Sequence, residues 1–396
     1  MNPDIALDLL GGLSPNAFMK KHWQRKPLLV RQAIPGFRPA LSIAEVRELV
    51  RREEVESRLI WQDDGQWKMK SGPFARLPSM RRAGWTVLAQ NTDAHDDGMA
   101  RLLHRFRFIP DARLDDAMIS VASDGGGVGP HFDSYDVFLL QAHGRRRWRI
   151  SAQQDLSLEE GLPLKILRHF RPEQEYVLEP GDMLYLPPHI AHDGVAEGDC
   201  MTISIGFRAP TLATLARGVL EAAGDQLMAR IGEDAGLYGA RPPAGPKLDK
   251  RYGDRGSTAT RHPARLPDDL VQATLDAALR IKFNEALASR FLGQWLTEPS
   301  SAAWFEPSDT GLDLAEAFPP DGALVPDRCT RLMYRGNDFY INGELAELPA
   351  SPALRALADD RRLECNSRQA RRLTPGELDM LSDWLAQGWL HHVSVG

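Results

Sequence analysis

The sequence is poor in cysteine and has no long apolar run. Its three cysteines, Cys200, Cys329 and Cys365, are scattered along 396 residues and form no CxxC pair. This usage argues against a disulfide framework or a zinc site and favours a reducing, cytoplasmic environment. No apolar stretch approaches the roughly 20 residues that a membrane-spanning helix requires. The first segment, MNPDIALDLLGG, is acidic and interrupted by polar residues, so we expect no signal peptide.

Basic charge is not in excess either. The 48 Lys and Arg residues are outnumbered by 54 Asp and Glu residues, which gives a net charge of −6 at pH 7. Surfaces that bind nucleic acid directly are usually basic, so we expect no such binding here. The local cluster of Arg145–Arg147 with Arg149 is expected to lie on a solvent-exposed strand face. A chain of this length is expected to form two or three domains.

In the first half of the chain the predicted secondary structure changes from helices to β-strands. Ser14-Pro15 predicts a helix start, and Ser42 with Glu45 has the spacing of a capping box. From about residue 118 to residue 207 the chain consists of short β runs separated by turn residues. These runs are MISVAS, DVFLLQ, WRIS, YVLE, MLYLP and MTISIGF. Six closely spaced strands predict a sandwich or barrel rather than a parallel sheet.

The second half is mainly helical and ends in a small mixed module. Helical periodicity follows Pro210, a polar connector covers residues 239–267, and further helices run to about residue 296. The segment RLMYRGNDFYINGE then predicts a hairpin that turns at residues 335–338. Helices and a last strand follow, which indicates a winged-helix-like module. We therefore expect domains at residues 1–209, 210–305 and 306–396.

Four residues in two β segments have the chemistry of a metal site. GGGVGPHFDSYDVF carries His131 and Asp133, which would point to one face of a strand. LEPGDMLYLPPHIAHDG carries His189 and His192 just after a strand, and either could supply a third ligand. Two histidines and one carboxylate with open positions are typical of non-haem Fe(II) oxygenases, whereas a structural zinc site has four closed ligands.

These motifs resemble those of the JmjC-type 2-oxoglutarate oxygenases, and among them the bacterial ribosomal oxygenases. The resemblance covers nearly the whole chain. Its specific stretches are FMKKHWQRKPLLVRQAIPGF, DDAMISVASDGGGVGPHFDSYDVFLLQAHGRRRWRI, LEPGDMLYLPPHIAHDG and SIGFRAP, with weaker likeness in KRYGD, RHPARLP and FYINGE. It implies a mainly β catalytic domain with a double-stranded β-helix, a helical dimerisation region and a C-terminal winged-helix-like α+β domain.

The resemblance also implies an activity and its cofactors. Members of this group hydroxylate the β-carbon of an arginine in a large-subunit ribosomal protein, expected to be the sixteenth of the 50S subunit. They use Fe(II), 2-oxoglutarate and O2. The family register selects His131, Asp133 and His192 as the iron ligands and leaves His189 out.

Two further positions match the family's 2-oxoglutarate contacts, namely Arg146 and Ser120. Strand alternation supports Arg146, since it places this arginine with Trp148 and Ile150 on one face and the neighbouring arginines on the other. A guanidinium suits a carboxylate through two parallel hydrogen bonds.

Substrate contacts are predicted on both sides of the metal motif. A guanidinium substrate needs a carboxylate and an aromatic face, for which Asp124 and Tyr135 are the candidates. The glycines before His131 are expected to let a substrate backbone approach closely.

Three alternatives remain open at this point. They are a histidine hydroxylase of the same family, a non-catalytic cupin-like interaction protein, and a regulatory nucleic-acid-binding protein that uses the winged helix. Arg146 favours the oxygenase over the cupin, and the low isoelectric point disfavours the last alternative. We also expect a homodimer formed through the helical region.

Overall fold

The computed structural model describes residues 2–231, 265–307 and 312–394. The described chain separates into two compact units, Met1–Ala209 with Ser300–Trp304 and Pro210–Pro299 with Phe305–Gly396. The predicted division into three domains stays a prediction, and most of the predicted polar connector lies outside the described residues. No helix within these ranges combines the length and hydropathy needed to cross a membrane.

The first unit is built around one large antiparallel sheet. Its strands are β1 (Leu28–Val30), β2 (Ser57–Asp63), β3 (Gln66–Ser71), β4 (Trp85–Ala89), β5 (Leu114–Ala122), β6 (Val137–Ser151), β7 (Gln174–Leu178), β8 (Met183–Leu186) and β9 (Ala191–Phe207). The strand order is β1-β8-β6-β9-β5-β4-β2-β3, and β7 also pairs with β6. Three helices accompany the sheet: α1 (Pro15–Lys21), α2 (Ile43–Leu49) and α3 (Asp97–His104).

Strand β6 differs from the prediction because it is one strand rather than two. The predicted runs DVFLLQ and WRIS join through AHGRRR, which stays paired with β9 although the register shifts on both sides of His143. Such shifts bend a strand without ending it. Gly144 permits the bend, because its φ of 62° is left-handed and a Cβ there would lie 2.0 Å from the carbonyl oxygen of Asp199.

Strands β2, β3 and β4 were not among the predicted strands, and they extend the sheet beyond β5. Asp64-Gly65 joins β2 to β3, and both residues have the positive φ that a tight hairpin turn requires. The predicted helix caps are confirmed. The Ser14 hydroxyl accepts a hydrogen bond from the Ala17 amide, and Ser42 and Glu45 form a complete capping box.

The second unit contains the predicted helices and a winged-helix-like module. Its helices are α4 (Leu212–Ile231), α5 (Asp268–Ala278), α6 (Glu285–Thr297), α7 (Pro352–Asp360), α8 (Ser367–Ala370) and α9 (Pro375–Ala386). Its strands are β10 (Ala323–Pro326), β11 (Leu332–Arg335), β12 (Asp338–Ile341), β13 (Glu344–Leu345), β14 (Leu363–Glu364) and β15 (Leu390–Val393). The hairpin turns as predicted, with Arg335 opposite Asp338.

A buried carboxylate ties the start of the chain to the sheet of the first unit. Asp136 is 0% exposed and accepts hydrogen bonds from the Tyr185 hydroxyl at 2.5 Å and from the Gln24 amide nitrogen Nε2 at 3.1 Å. The Arg113 guanidinium lies 3.7 Å away. Removal of a buried carboxylate leaves these donors without their acceptor, which is a costly change in a dry interior.

We therefore predict that Asp136→Ala lowers the free energy of unfolding by about 3 kcal/mol, measured by urea denaturation. Glu175→Ala is the matched control, because it removes a carboxylate from an exposed ion pair with Arg147. The control variant should lower the free energy of unfolding by less than about 1 kcal/mol. Equal losses in the two variants would contradict the role assigned to Asp136.

Candidate active site

Two backbone hydrogen bonds bring the predicted metal motifs together. The His131 amide donates to the His192 carbonyl at 2.9 Å, and the His192 amide donates to the His131 carbonyl at 2.8 Å. The HxD motif lies just before β6 rather than within it, since only His131 forms a strand-like bridge. Asp133 is held separately, by a hydrogen bond of 2.8 Å from the His189 amide to its carbonyl.

His131, Asp133 and His192 form a compact cluster of three ligand types. One ligand atom from each lies within 4.8 Å of the others, and the described residues contain no other group of this kind. The Nε2 atom of His192 is 3.7 Å from a carboxylate oxygen of Asp133. His192 is only 2% exposed. His189 is outside the cluster, and its exposed side chain sits on a left-handed backbone with φ 66°.

Both imidazoles are oriented by backbone carbonyls. The Nδ1 atom of His131 is 2.8 Å from the Gly129 carbonyl oxygen, and that of His192 is 2.9 Å from the Ile190 carbonyl oxygen. A proton on each Nδ1 satisfies these carbonyls and leaves each Nε2 lone pair available to a metal. Burial, together with the neighbouring His131, lowers the pKa of His192 to about 4. His192 is therefore neutral at pH 7, as a metal ligand must be.

The donor set fits a divalent metal with open coordination positions. Two neutral imidazoles and one carboxylate are the ligands of the facial triad, and three protein ligands leave sites for other molecules. A closed structural zinc site would need a fourth protein ligand. The chemistry of the donors thus agrees with Fe(II), although the assignment of each ligand stays a prediction.

The arginines of β6 fall into two classes. Arg145, Arg147 and Arg149 point to the outer face and form ion pairs with Glu197, Glu175 and Asp193.

Arg146 faces the interior and is 3% exposed. Its Nε and Nη2 atoms have no hydrogen-bond partner, and its guanidinium has no ion-pair partner, among the residues that the structure describes. A buried guanidinium without a counter-ion is costly, and a bound carboxylate would satisfy it. Arg146 therefore fits the predicted 2-oxoglutarate contact.

Ser120 faces the same interior space as Arg146. Ser120 and Ala122 share a face of β5, and Ala122 packs against Ala196 of β9, which lies opposite Arg146 in the sheet. Ser120 is 4% exposed, and among the described residues its hydroxyl makes only a long contact of 3.5 Å with the Thr202 carbonyl. The hydroxyl is therefore able to donate to another acceptor.

Tyr135 lies at the edge of the metal cluster and is 39% exposed. Desolvation of its hydroxyl, followed by the charges of Asp133 and Asp116, raises its pKa above the usual range. Tyr135 is therefore a neutral phenol beside acidic groups. Its predicted contact with substrate is compatible with this position and stays a prediction.

Asp116 is a half-buried acidic residue that sequence reasoning missed. It lies on β5 and accepts a hydrogen bond of 3.0 Å from the Asn91 amide. Burial is the largest cause that raises its pKa to about 7, and Asp93, Asp115 and Glu56 add to it. The sequence contained one signal, since alternation along β5 places Asp116 on the same face as Ser120.

Asp124 has an evident structural task. It is exposed, its carboxylate accepts a hydrogen bond of 2.8 Å from the Gly198 amide, and its carbonyl accepts one from Gly84. Its predicted contact with substrate stays a prediction. The glycine loop that follows Asp124 is also tightly packed, because a Cβ on Gly126 would lie 2.3 Å from the Trp85 carbonyl oxygen.

Comparisons with known proteins agree with this geometry. A family model described as a JmjC domain matches residues 101–215, and one described as a ROXA-like winged helix matches residues 278–391. The second match confirms the predicted C-terminal winged helix. The chain is 32% identical over 390 residues to the ribosomal protein uL16 3-hydroxylase of Escherichia coli (strain K12), covering 94% of this chain and 96% of that one.

Two further relatives are similar over almost the same extent. A probable ribosomal oxygenase of Haemophilus influenzae is 32% identical over 410 residues, covering 95% of this chain and 96% of that one. A solved structure of YcfD, a ribosomal oxygenase from Escherichia coli, in complex with cobalt and 2-oxoglutarate, matches with a TM-score of 0.74 and 29% identity, covering 94% and 96% of the two chains. The chain therefore belongs to the JmjC-domain ribosomal oxygenases.

Proposed function

We propose that this chain is an Fe(II)- and 2-oxoglutarate-dependent oxygenase that hydroxylates the β-carbon of an arginine in ribosomal protein uL16. The observation that carries the proposal is a cluster of two histidines and one carboxylate in the same interior as Arg146, a buried arginine with no acidic partner in the described ranges. The cluster suits iron, and the arginine suits the co-substrate's carboxylate. The full-length similarity to a uL16 3-hydroxylase supports the same substrate.

Each group in the site has a separate task in this proposal. His131, Asp133 and His192 would hold Fe(II), while Arg146 and Ser120 would hold 2-oxoglutarate. When bound, iron and 2-oxoglutarate supply the oxidising chemistry, in which one atom of O2 enters the substrate C–H bond and the other enters succinate as CO2 leaves. The chain orients both imidazoles through backbone carbonyls and keeps His192 neutral. It also excludes water from the strand face that would bind the co-substrate.

The charges around the site favour arginine over histidine as the target. Asp116, with its acidic neighbours, and the phenol of Tyr135 together form an acceptor-rich entrance. A guanidinium is always charged and pairs well with a carboxylate, whereas a neutral imidazole gains much less. We also propose a cytoplasmic location, because the proposed substrate is a ribosomal protein.

The proposed reaction is tested with a uL16 peptide, Fe(II), 2-oxoglutarate and air. Wild-type protein should yield peptide heavier by one oxygen atom, located on an arginine by mass spectrometry, together with succinate. His131→Ala removes one proposed ligand and should abolish both products. His189→Asn is the matched control, since asparagine tolerates the left-handed backbone and the side chain is outside the cluster. Unmodified arginine and succinate formation independent of His131 would refute the proposal.

A second prediction concerns the pH dependence of Asp116. Its folded pKa of about 7 exceeds the value of about 4 for an unfolded aspartate. The folded state therefore binds this proton more tightly, and the resulting stability is present below about pH 4 and lost as the pH rises to about 7. Asp116→Asn cannot ionise, so above pH 7 it should unfold at higher urea concentration than wild type.

The same variant should bind an arginine peptide about tenfold more weakly, because the charge-assisted hydrogen bond is lost. Wild-type affinity, measured by calorimetry, should rise as the pH passes 7, and the variant's affinity should not. Glu48→Gln is the control, because Glu48 is exposed, pairs with Arg51 and is not among the acidic neighbours that raise the pKa of Asp116. An unchanged peptide affinity in Asp116→Asn would exclude Asp116 from substrate recognition.

We further propose that the helical region forms a homodimer. Helix α5 has no buried residue, and Val271, Leu275 and Leu279, spaced four residues apart, are 53%, 52% and 72% exposed. Two leucines of α4, Leu212 and Leu220, are 85% and 58% exposed. Apolar stripes of this kind are usually covered by a partner in symmetric dimers.

Light scattering coupled to size exclusion should therefore report about twice the chain mass of 44.1 kDa. Leu275→Glu puts a charge in the centre of the apolar stripe and should shift the protein towards monomer. Thr274→Glu adds the same charge about 100° away around the helix and should leave the dimer intact. A monomeric wild-type protein would contradict the proposal.

A further inference from the structure

Trp148 lies on the interior wall that also carries Arg146. It is 4% exposed, and in the sheet it pairs with Gly194 of β9 and Tyr176 of β7. A Cβ on Gly194 would lie 2.6 Å from the indole ring, so the ring packs directly on the glycine backbone. This contact fixes the plane of the indole and leaves it few alternative positions.

The indole stands between the two ends of the proposed site. Its ring centroid is 5.7 Å from the Arg146 guanidinium carbon and 5.9 Å from the centroid of the His192 ring. Arg146, Trp148 and Ile150 alternate along β6, so they share one face. A ligand that reached from the metal cluster to Arg146 would have to pass this ring.

The indole nitrogen is a buried donor without an acceptor. Trp148 Nε1 has no hydrogen-bond partner among the residues that the structure describes. Trp85 provides the comparison, because it is equally buried but its Nε1 donates to the Ser79 carbonyl at 3.1 Å. Buried tryptophan N–H groups usually find a partner, and an unpaired one costs about 1–3 kcal/mol.

Arg146, on the same face of β6, also has donor atoms without acceptors in the ranges that the structure describes. Its Nε and Nη2 atoms also find no acceptor within the described part of the chain. Three buried donor nitrogens on one strand face therefore lack acceptors within the described residues, and two of them belong to a cation. A carboxylate can accept about four hydrogen bonds through its two oxygens, which is more than the two that a bidentate guanidinium contact donates.

We propose that the Trp148 indole N–H is a second donor to the distal carboxylate of 2-oxoglutarate, beside Arg146. The inference rests on the proposed function and assigns a residue that binds the co-substrate in that site. Trp148 thereby fixes the direction in which the carboxylate approaches Arg146, in addition to closing the pocket against water. The cation–π contact between the two side chains holds both donors in one orientation.

The test measures ligand affinity rather than turnover. Trp148→Phe keeps an aromatic ring and removes the N–H, and Trp85→Phe removes a paired N–H elsewhere in the first unit. Protein loaded with Mn(II) is titrated by calorimetry with 2-oxoglutarate, with succinate, which keeps the distal carboxylate, and with pyruvate, which keeps only the keto-acid end. Trp148→Phe should lower the affinity for 2-oxoglutarate and for succinate about tenfold or more, and it should leave the affinity for pyruvate unchanged.

Stability separates this role from a structural one. Without ligand, Trp148→Phe should unfold near the wild-type temperature, because loss of an unpaired buried donor offsets lost packing. Trp85→Phe should unfold at a lower temperature than wild type and should bind 2-oxoglutarate and succinate with wild-type affinity.

A second measurement uses the unmodified chain. In Zn(II)-loaded protein, the indole N–H resonance of Trp148, identified by its absence in Trp148→Phe, should move downfield when succinate is added, and that of Trp85 should not.

The outcomes are distinct. Equal succinate affinity in wild type and Trp148→Phe, with an unmoved indole resonance, overturns the assignment. A lower affinity for pyruvate in Trp148→Phe, with an unchanged affinity for succinate, also overturns it. The N–H would then bind the keto-acid end of 2-oxoglutarate, next to the metal. A wild-type protein that takes up Mn(II) but binds no 2-oxoglutarate overturns the proposed function together with this inference.

Discussion

The reciprocal backbone hydrogen bonds between His131 and His192 are the interaction on which the site depends. They hold the loop before β6 against the start of β9 at N–O distances of 2.9 Å and 2.8 Å. From that point the register of β6 and β9 places Ile150, Trp148 and Arg146 opposite His192, Gly194 and Ala196. Because strands rise by about 3.3 Å per residue, this register sets the distance between the metal end and the carboxylate end of the site. A slip of one residue would turn every one of these side chains to the other face.

Some polar groups of the site differ from those elsewhere in the sheet because they lack hydrogen-bond and ion-pair partners among the described residues. Asp136 is fully buried yet surrounded by donors, and the outer arginines of β6 all have acidic partners. By contrast, Arg146 and Trp148 keep donors unpaired within the described residues, and Asp116 has its pKa raised to about 7. These groups cost folding free energy when no ligand is bound, and they are the groups that bound ligands would satisfy.

Local sequence predicts those parts of the fold and site that depend on local periodicity. Alternation along β6 separates Arg146 from its neighbours, and the HxD motif with a later histidine identifies the metal chemistry. It does not separate His189 from His192, because that difference lies in a hydrogen bond made across the sheet. The fused β6 is missed because bulges interrupt alternation without ending the strand. Asp116 is missed because its raised pKa comes mainly from burial, with contributions from Asp93 and Glu56 on other segments as well as from the adjacent Asp115.

The wide separation of His131 and His192 along the chain gives metal loading a further meaning. In the proposed site the ligands come together only when β9 has docked in its correct alignment, so an unfolded or misregistered chain would offer the ion no complete set. By linkage, an ion held by these three ligands would stabilise that alignment and no slipped one. Iron binding would therefore favour chains whose sheet has assembled in the correct register.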